Sequence, residues 1–170
     1  MQNKKLIIVL EGAIMIAISL ILSFVKIFQA PYGGSITLGS MVPIILYSLR
    51  NGPFAGIVAG IAYGLLQLII EPYIVHPVQV ILDYPLAFGL LGLSGFFKNN
   101  VFLGAFLGIF GRFVSHFLSG VVFFASYAPK GMNVFLYSAL YNGSYLLPEL
   151  IITFVVLRFV LYNRFLKQKD

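Results

Sequence analysis

The sequence predicts an all-α integral membrane protein with six transmembrane helices. The first of three observations is composition. The chain is 60% hydrophobic and 9% charged, against the ~25% charge usual in a soluble domain, and its mean hydropathy is +0.99. The second is punctuation: the apolar residues fall into six runs, each stopped by a stretch carrying Pro, Gly, Asn or charge, as helix ends are. The third is the unequal sharing of Lys and Arg between alternate loops, the mark of a multi-span membrane protein.

Segment 1 covers residues 6–28 and stops at Gln29-Ala30-Pro31-Tyr32-Gly33-Gly34. With MQNKK before it, the run superficially matches a secretory leader. It is long enough to span, however, and no small-residue cleavage pattern follows, so it reads as a retained first helix. Segment 2, residues 38–49, stops at Arg50-Asn51-Gly52-Pro53. It is short for a span of ~20 residues and is expected to be tilted or partly irregular. Segment 3, residues 54–70, stops at Glu71-Pro72, and segment 4, residues 78–97, at Lys98-Asn99-Asn100. Segment 5, residues 101–125, stops near Pro129-Lys130-Gly131, and segment 6, residues 134–161, runs into a basic tail. The loops are too short for a separate soluble domain, so residues 1–170 read as a single membrane domain.

With the N-terminus inside, the inner side holds Lys4, Lys5, Arg50, Lys98, Arg164, Lys167 and Lys169, and the outer side only Lys26 and Lys130. The positive-inside rule then places both termini in the cytoplasm of a cell-membrane protein. The net charge of +6 is accounted for by this topology and not by a nucleic-acid surface. Cysteine is absent, which excludes disulfides, thiolate nucleophiles and Cys-held metals. Two histidines are too few for a His-rich metal site. No nucleotide-binding or HExxH motif appears, so no cofactor is expected.

Ionisable residues inside a span are expensive and usually paired or functional. Counting ~1.5 Å of rise per residue, Asp83 lies roughly 8 Å below the outer end of segment 4, and His116 roughly 13 Å below that of segment 5. Tyr137 and Asn142 lie roughly 5 and 12 Å into segment 6 from the same side. Four residues from three helices thus share one layer. Arg112 stands one turn deeper than His116 on the same face, and Glu149 is deeper still. A purely structural reading makes Asp83, Arg112 and Glu149 an ion-pair network that fixes helix packing. Tyr73, Tyr84, Phe123, Phe124, Tyr127, Tyr137 and Tyr141 lie near the same level. Some of them belong to an interfacial aromatic belt. A carboxylate among ring faces, with Asn and His nearby, is also what a small cationic heteroaromatic ligand needs.

The Pro- and Gly-rich loop of residues 29–37 sits above this layer and suits a lid. In segment 1, Ala13 and Ala17 form a small-xxx-small pair that lets another helix approach closely. Gly92-Leu93-Ser94-Gly95 matches the GxSG signature of intramembrane serine proteases. Ser94 and His116 are separated by roughly 15 Å or more along the membrane normal, too far for a nucleophile and its base. The chain is therefore not expected to be an enzyme.

These residues together resemble the S-component family of energy-coupling factor (ECF) transporters, most closely its thiamine-specific ThiT branch. The resemblance rests on AIMIA in segment 1, PYGGSITLGSMVPIILYSLRNG across segments 1 and 2, and HPVQVILDYPLAFGLLGLSG in segment 4. It continues in GRFVSHFLSGVVFFASYAPKG and YSALYNGSYLLPE of segments 5 and 6. It implies the six-helix S-component fold and high-affinity binding of thiamine. It also implies assembly with a transmembrane T component, contacted through Ala13 and Ala17, and with two cytoplasmic ATPase subunits that consume the ATP. The substrate residues it implies are Asp83, Tyr84, His116, Gly120, Phe124, Tyr137, Asn142 and Tyr73. Asp83 would face the cation or the aminopyrimidine, His116 and Asn142 would hydrogen-bond the ligand, and Tyr84, Phe124 and Tyr137 would supply ring faces. The chain departs from some members at Gly34 and Leu38, where those members carry Trp and Glu. Another vitamin or a thiamine precursor is the alternative within the class. Outside it stands a cation-coupled carrier using Asp83, Arg112 and Glu149 as a relay, a reading weakened by the lack of an internal repeat.

Overall fold

The computed structural model describes residues 2–166; Lys167 and Lys169 of the basic tail lie outside them. Helix α1, Gln2–Ser23, leads into strand β1, Lys26–Gln29, a 3-10 turn at Pro31–Gly33 and strand β2, Ser35–Thr37. Helices α2, Val42–Asn51, and α3, Pro53–Ile70, follow. Helix α4, Pro77–Phe96, is a composite of α, π and 3-10 turns. Helix α5, Val101–Phe123, a 3-10 turn at Ala125–Tyr127 and helix α6, Val134–Leu166, complete the fold.

Five of these helices are long and apolar enough to cross a membrane. The sixth, α2, has ten residues and reaches only ~15 Å, about half the hydrocarbon thickness. It survives as a helix because it is sunk in the bundle: Val42, Ile44, Ile45, Tyr47 and Leu49 are all buried. Around it the core collects Met41, Tyr63, Phe88, Leu91, Ala105, Ile109 and Leu157. Large apolar side chains such as Val9, Ile21, Phe54 and Ile69 point outward, as a surface that meets lipid must.

Helix boundaries follow local chemistry. Gly52 ends α2 with φ +97°, a conformation that suits glycine, and its N–H donates to Ser48 O at 2.7 Å. Pro53 then opens α3, where a missing N–H costs nothing. Asn100 caps α5 by accepting from Leu103 N at 3.1 Å, and Asn133 caps α6 by accepting from Phe135 N at 2.8 Å.

The end of α1 differs from the sequence expectation. The apolar run continues to Phe28, but the helix stops at Ser23, and Lys26–Gln29 becomes a strand. It pairs antiparallel with β2 in the register Phe28 to Ile36 and Gln29 to Ser35, with a bulge after Lys26. The turn uses Gly33 at φ +107°, and Ala30 N donates to Gly34 O at 2.6 Å. The Pro- and Gly-rich segment read from sequence as a loop suited to a lid is the turn and second strand of a β-hairpin.

Glu149, on α6, does not pair with Arg112 as the ion-pair reading required. It is 2% exposed, and its Oε1 accepts from both the backbone N–H and the hydroxyl of Thr37. Thr37 Oγ1 in turn accepts from Ser40, from its hydroxyl at 2.8 Å and its backbone N–H at 3.2 Å. The acid therefore ties the base of the hairpin to α6. Across the bundle, Gly56, Gly60 and Gly64 put one face of α3 directly against α4. A Cβ at Gly60 would fall 2.2 Å from Phe88 O, and one at Gly64 would fall 2.5 Å from Tyr84 O.

Two outcomes follow from these contacts. Gly60→Ala is expected to cost about 1–3 kcal/mol, because a methyl group cannot displace a helix backbone cheaply. A lowered unfolding midpoint in detergent checks it, and an unchanged midpoint refutes the close-approach argument. Glu149→Ala leaves buried Thr37 donors without an acceptor, a loss of about 1–3 kcal/mol, and amide exchange over Ser35–Thr37 is expected to quicken.

Candidate ligand-binding cavity

A cavity of about 870 Å³ opens beneath the hairpin, walled by α3 to α6 and the α3–α4 loop. Its chemistry begins with a break in α4. Pro85 has no N–H, so the regular i→i−4 ladder cannot pass through it. The chain widens into a π turn over Leu82–Leu86, a feature that recurs at functional sites. Ser115 Oγ of α5 reaches this turn and donates to Leu82 O at 2.6 Å. The π turn carries Asp83 on the cavity wall and buries Tyr84 beside it.

Asp83 is surrounded by donors. Its Oδ2 accepts from Gln79 Nε2 at 2.7 Å and from Ser119 Oγ at 2.9 Å. Its Oδ1 lies 3.0 Å from His116 Nδ1. Arg112 Nε donates to His116 Nε2 at 3.2 Å, and its guanidinium lies 4.2 Å from the centroid of the Phe88 ring. Among the described residues, Asp83 is joined to Arg112 through His116 and not by a direct ion pair.

All eight residues expected to bind substrate line this one cavity: Tyr73, Asp83, Tyr84, His116, Gly120, Phe124, Tyr137 and Asn142. Their roles in the protein differ from one another. The Tyr84 hydroxyl donates to Glu71 O at 2.7 Å and accepts from Tyr73 N at 2.8 Å, so it pins the α3–α4 loop to α4. Tyr73 lies 5.9 Å from Phe124, ring centre to ring centre. Gly120 is a point of close approach: a Cβ there would fall 2.2 Å from Ser138 Oγ. Asn142 is already well used. Its Nδ2 donates to Ser138 O at 2.9 Å and to His116 O at 3.3 Å, and its Oδ1 accepts from Tyr145 O–H at 2.7 Å. What it can still offer a ligand is chiefly a second lone pair on Oδ1.

Tyr145 and Gln79 of the wall, and Ser119 behind it, were not singled out from sequence. Tyr137, Tyr141 and Tyr145 form an i, i+4, i+8 stripe on α6, with neighbouring ring centres 6.1 and 5.9 Å apart. Tyr145 also meets the His116 ring edge-on at 6.2 Å. The fourfold spacing in YSALYNGSY was its signal. Gln79, one turn before Asp83, and Ser119, three residues after His116, were findable by the same helical arithmetic.

The hairpin is held over the cavity on both flanks. The Tyr141 hydroxyl donates to Pro31 O and accepts from Gly34 N at 3.3 Å. On the opposite flank Lys26 of β1 pairs with Glu71 at the end of α3. Lys26, Glu71, Asp83 and Arg112 all line the cavity, two cations against two acids. Ser94 lies apart from it, fully buried, with its hydroxyl donated to Leu91 O at 2.8 Å. The described residues contain no group of three His, Asp or Glu side chains able to hold a metal. Ala13 and Ala17 are exposed on α1, away from the cavity wall.

The chain resembles known proteins over nearly its whole length. Residues 9–168 match the family described as thiamine transporter protein (Thia_YuaJ). The thiamine transporter ThiT of Bacillus subtilis is 39% identical, over 92% of this chain and 91% of that one. ThiT of Lacticaseibacillus paracasei is 34% identical, over 91% and 87%. A solved structure of ThiT from Listeria monocytogenes superposes with a TM-score of 0.84 at 30% identity, covering 95% of this chain and 96% of that one. The relatives are transporters and not enzymes. By sequence and by fold, the chain belongs to the thiamine transporter protein family.

Proposed function

We propose that the chain is a thiamine-binding S component that delivers the vitamin to an ATP-driven ECF transporter. The observation that carries this reading is Asp83: a carboxylate held by Gln79, Ser119 and His116 in the wall of an aromatic-lined cavity, beneath a hairpin. A thiazolium cation needs a fixed negative charge, and rings on either side suit its flat faces. Tyr73, Phe124 and Tyr137 supply faces, Asn142 a hydrogen-bond acceptor, and Gly120 the closeness of α5 to α6. Tyr84 serves the site by fixing the loop that carries Tyr73.

In this reading the termini are cytoplasmic, the hairpin faces outward, and Lys26 and Glu71 lie at the outer rim. The exposed Ala13 and Ala17 form the face offered to a transmembrane T component, which works with two cytoplasmic ATPases. This chain carries no nucleotide motif, so it binds and releases while its partners supply the energy.

Titration of the purified chain with thiamine, by calorimetry or tyrosine fluorescence, is expected to give a Kd well below about 10 μM, worth more than ~6.8 kcal/mol. Absence of binding at that level rejects the assignment. Asp83→Asn keeps the shape and removes the charge. It is expected to weaken binding by roughly 10- to 150-fold, the worth of a charge-assisted contact. Asp83→Asn that binds like the parent but unfolds readily makes the acid structural instead. Ala13→Trp combined with Ala17→Trp is expected to leave binding intact and abolish uptake in cells. Loss of binding in that variant rules out the α1 face as a docking surface.

A further inference from the structure

The polar chain in the cavity wall has hydrogen-bond directions set by a group that has no choice. A guanidinium donates and cannot accept. The 3.2 Å contact from Arg112 Nε therefore requires a lone pair on His116 Nε2. The ring proton then belongs on Nδ1, which faces Asp83 Oδ1 at 3.0 Å. A carboxylate oxygen accepts there, while Oδ2 is occupied by Gln79 and Ser119.

We propose that Arg112 is a positioning residue that holds His116 as its neutral Nδ1–H tautomer, so that the imidazole braces Asp83 and keeps neither ring nitrogen for the ligand. Both nitrogens are spent inside the protein: one receives from Arg112 and the other donates to Asp83. What His116 presents to the cavity is its ring face and C–H edge. This replaces the sequence-level expectation that His116 hydrogen-bonds the ligand directly.

The arrangement is well supported from below. Arg112 and His116 are i and i+4 on α5, adjacent on one helix face. The guanidinium lies against Phe88, and that ring is buried and packed edge-on to Tyr63 at 4.9 Å. Arg112 therefore cannot swing freely away from the imidazole. A lysine would lose both the flat stacking surface and the directed Nε–H. A methionine would fill the space without donating, leaving the imidazole free to move its proton to Nε2.

The effect on affinity rests on the thiamine reading of the cavity; the tautomer does not. The test is nitrogen NMR of the ligand-free chain labelled with ¹⁵N-histidine, with the two histidines distinguished by His76→Gln. His116 is expected to show a protonated Nδ1 and a bare Nε2. In Arg112→Met the proton is expected to redistribute toward Nε2, and the thiamine Kd to rise roughly three- to tenfold, the worth of one hydrogen bond. Combining Arg112→Met with His116→Ala is expected to cost no more affinity than His116→Ala alone.

A protonated Nε2 in the parent overturns the proposal, and this measurement needs no substitution at the site. Additive losses in the double variant, or a proton that stays on Nδ1 while Arg112→Met loses affinity, show instead that Arg112 acts on the ligand itself. A moved proton with an unchanged Kd removes the positioning role. A parent with the expected tautomer that binds no thiamine rejects the thiamine reading and leaves the tautomer assignment standing.

Discussion

A carboxylate within a lipid-bounded bundle must receive its hydrogen bonds from the protein, because the hydrocarbon supplies none. Much of the cavity's architecture answers that demand at Asp83. Gln79 and Asp83 share a helix face one turn apart, Ser119 and His116 reach across from α5, and the π turn at Pro85 presents the acid to them. The glycine face of α3 brings that helix against the α4 backbone beside this turn, at Tyr84 O and Phe88 O. Bulkier residues there would push α3 off the element that carries the acid.

The second buried acid is held differently, through Oε1 alone, and does different work. Glu149 receives donors from the hairpin instead of from a neighbouring helix. Asp83 sits in the cavity wall, whereas Glu149 stands outside it and fastens the cover. The hairpin has two further attachments, one at its tip through Tyr141 and one on the far flank through Lys26 and Glu71. The buried one is protected from solvent. The exposed ones compete with water and hold less strongly.

Legibility in the sequence was uneven, for physical reasons. Breakers with strong local chemistry set boundaries well: Asn51 and Pro53 flank the glycine turn, and α5 begins at Val101 after its Asn cap. The stop of α1 was hidden because Phe24 to Phe28 continue the apolar run, and against lipid a strand and a helix are equally greasy. The acid, the histidine and the aromatic layer were visible because charge and rings stand out in an apolar chain, and all eight residues reached one wall. Gln79, Ser119 and Tyr145 were not singled out, since uncharged polar residues and one more tyrosine disturb the pattern little. The direct pairing among Asp83, Arg112 and Glu149 failed because charge alone does not tell which hydrogen-bond partner lies nearest. His116 stands between one pair, and Thr37 claims the other acid.

The shortness of α2 has a volumetric meaning. Ten residues leave about 15 Å of a full span unbuilt, and a rod of helix ~10 Å across and that long displaces roughly 1,200 Å³. The cavity holds about 870 Å³, and no residue of α2 is in its wall. Five full-length helices and one half-length helix cannot fill the bundle evenly at both ends. Carried three turns further back, α2 would take in Pro31, Gly33, Gly34 and Ser35, hairpin residues that line the cavity, so the short helix and the hairpin are two sides of one choice: chain that could have extended the rod covers the space instead.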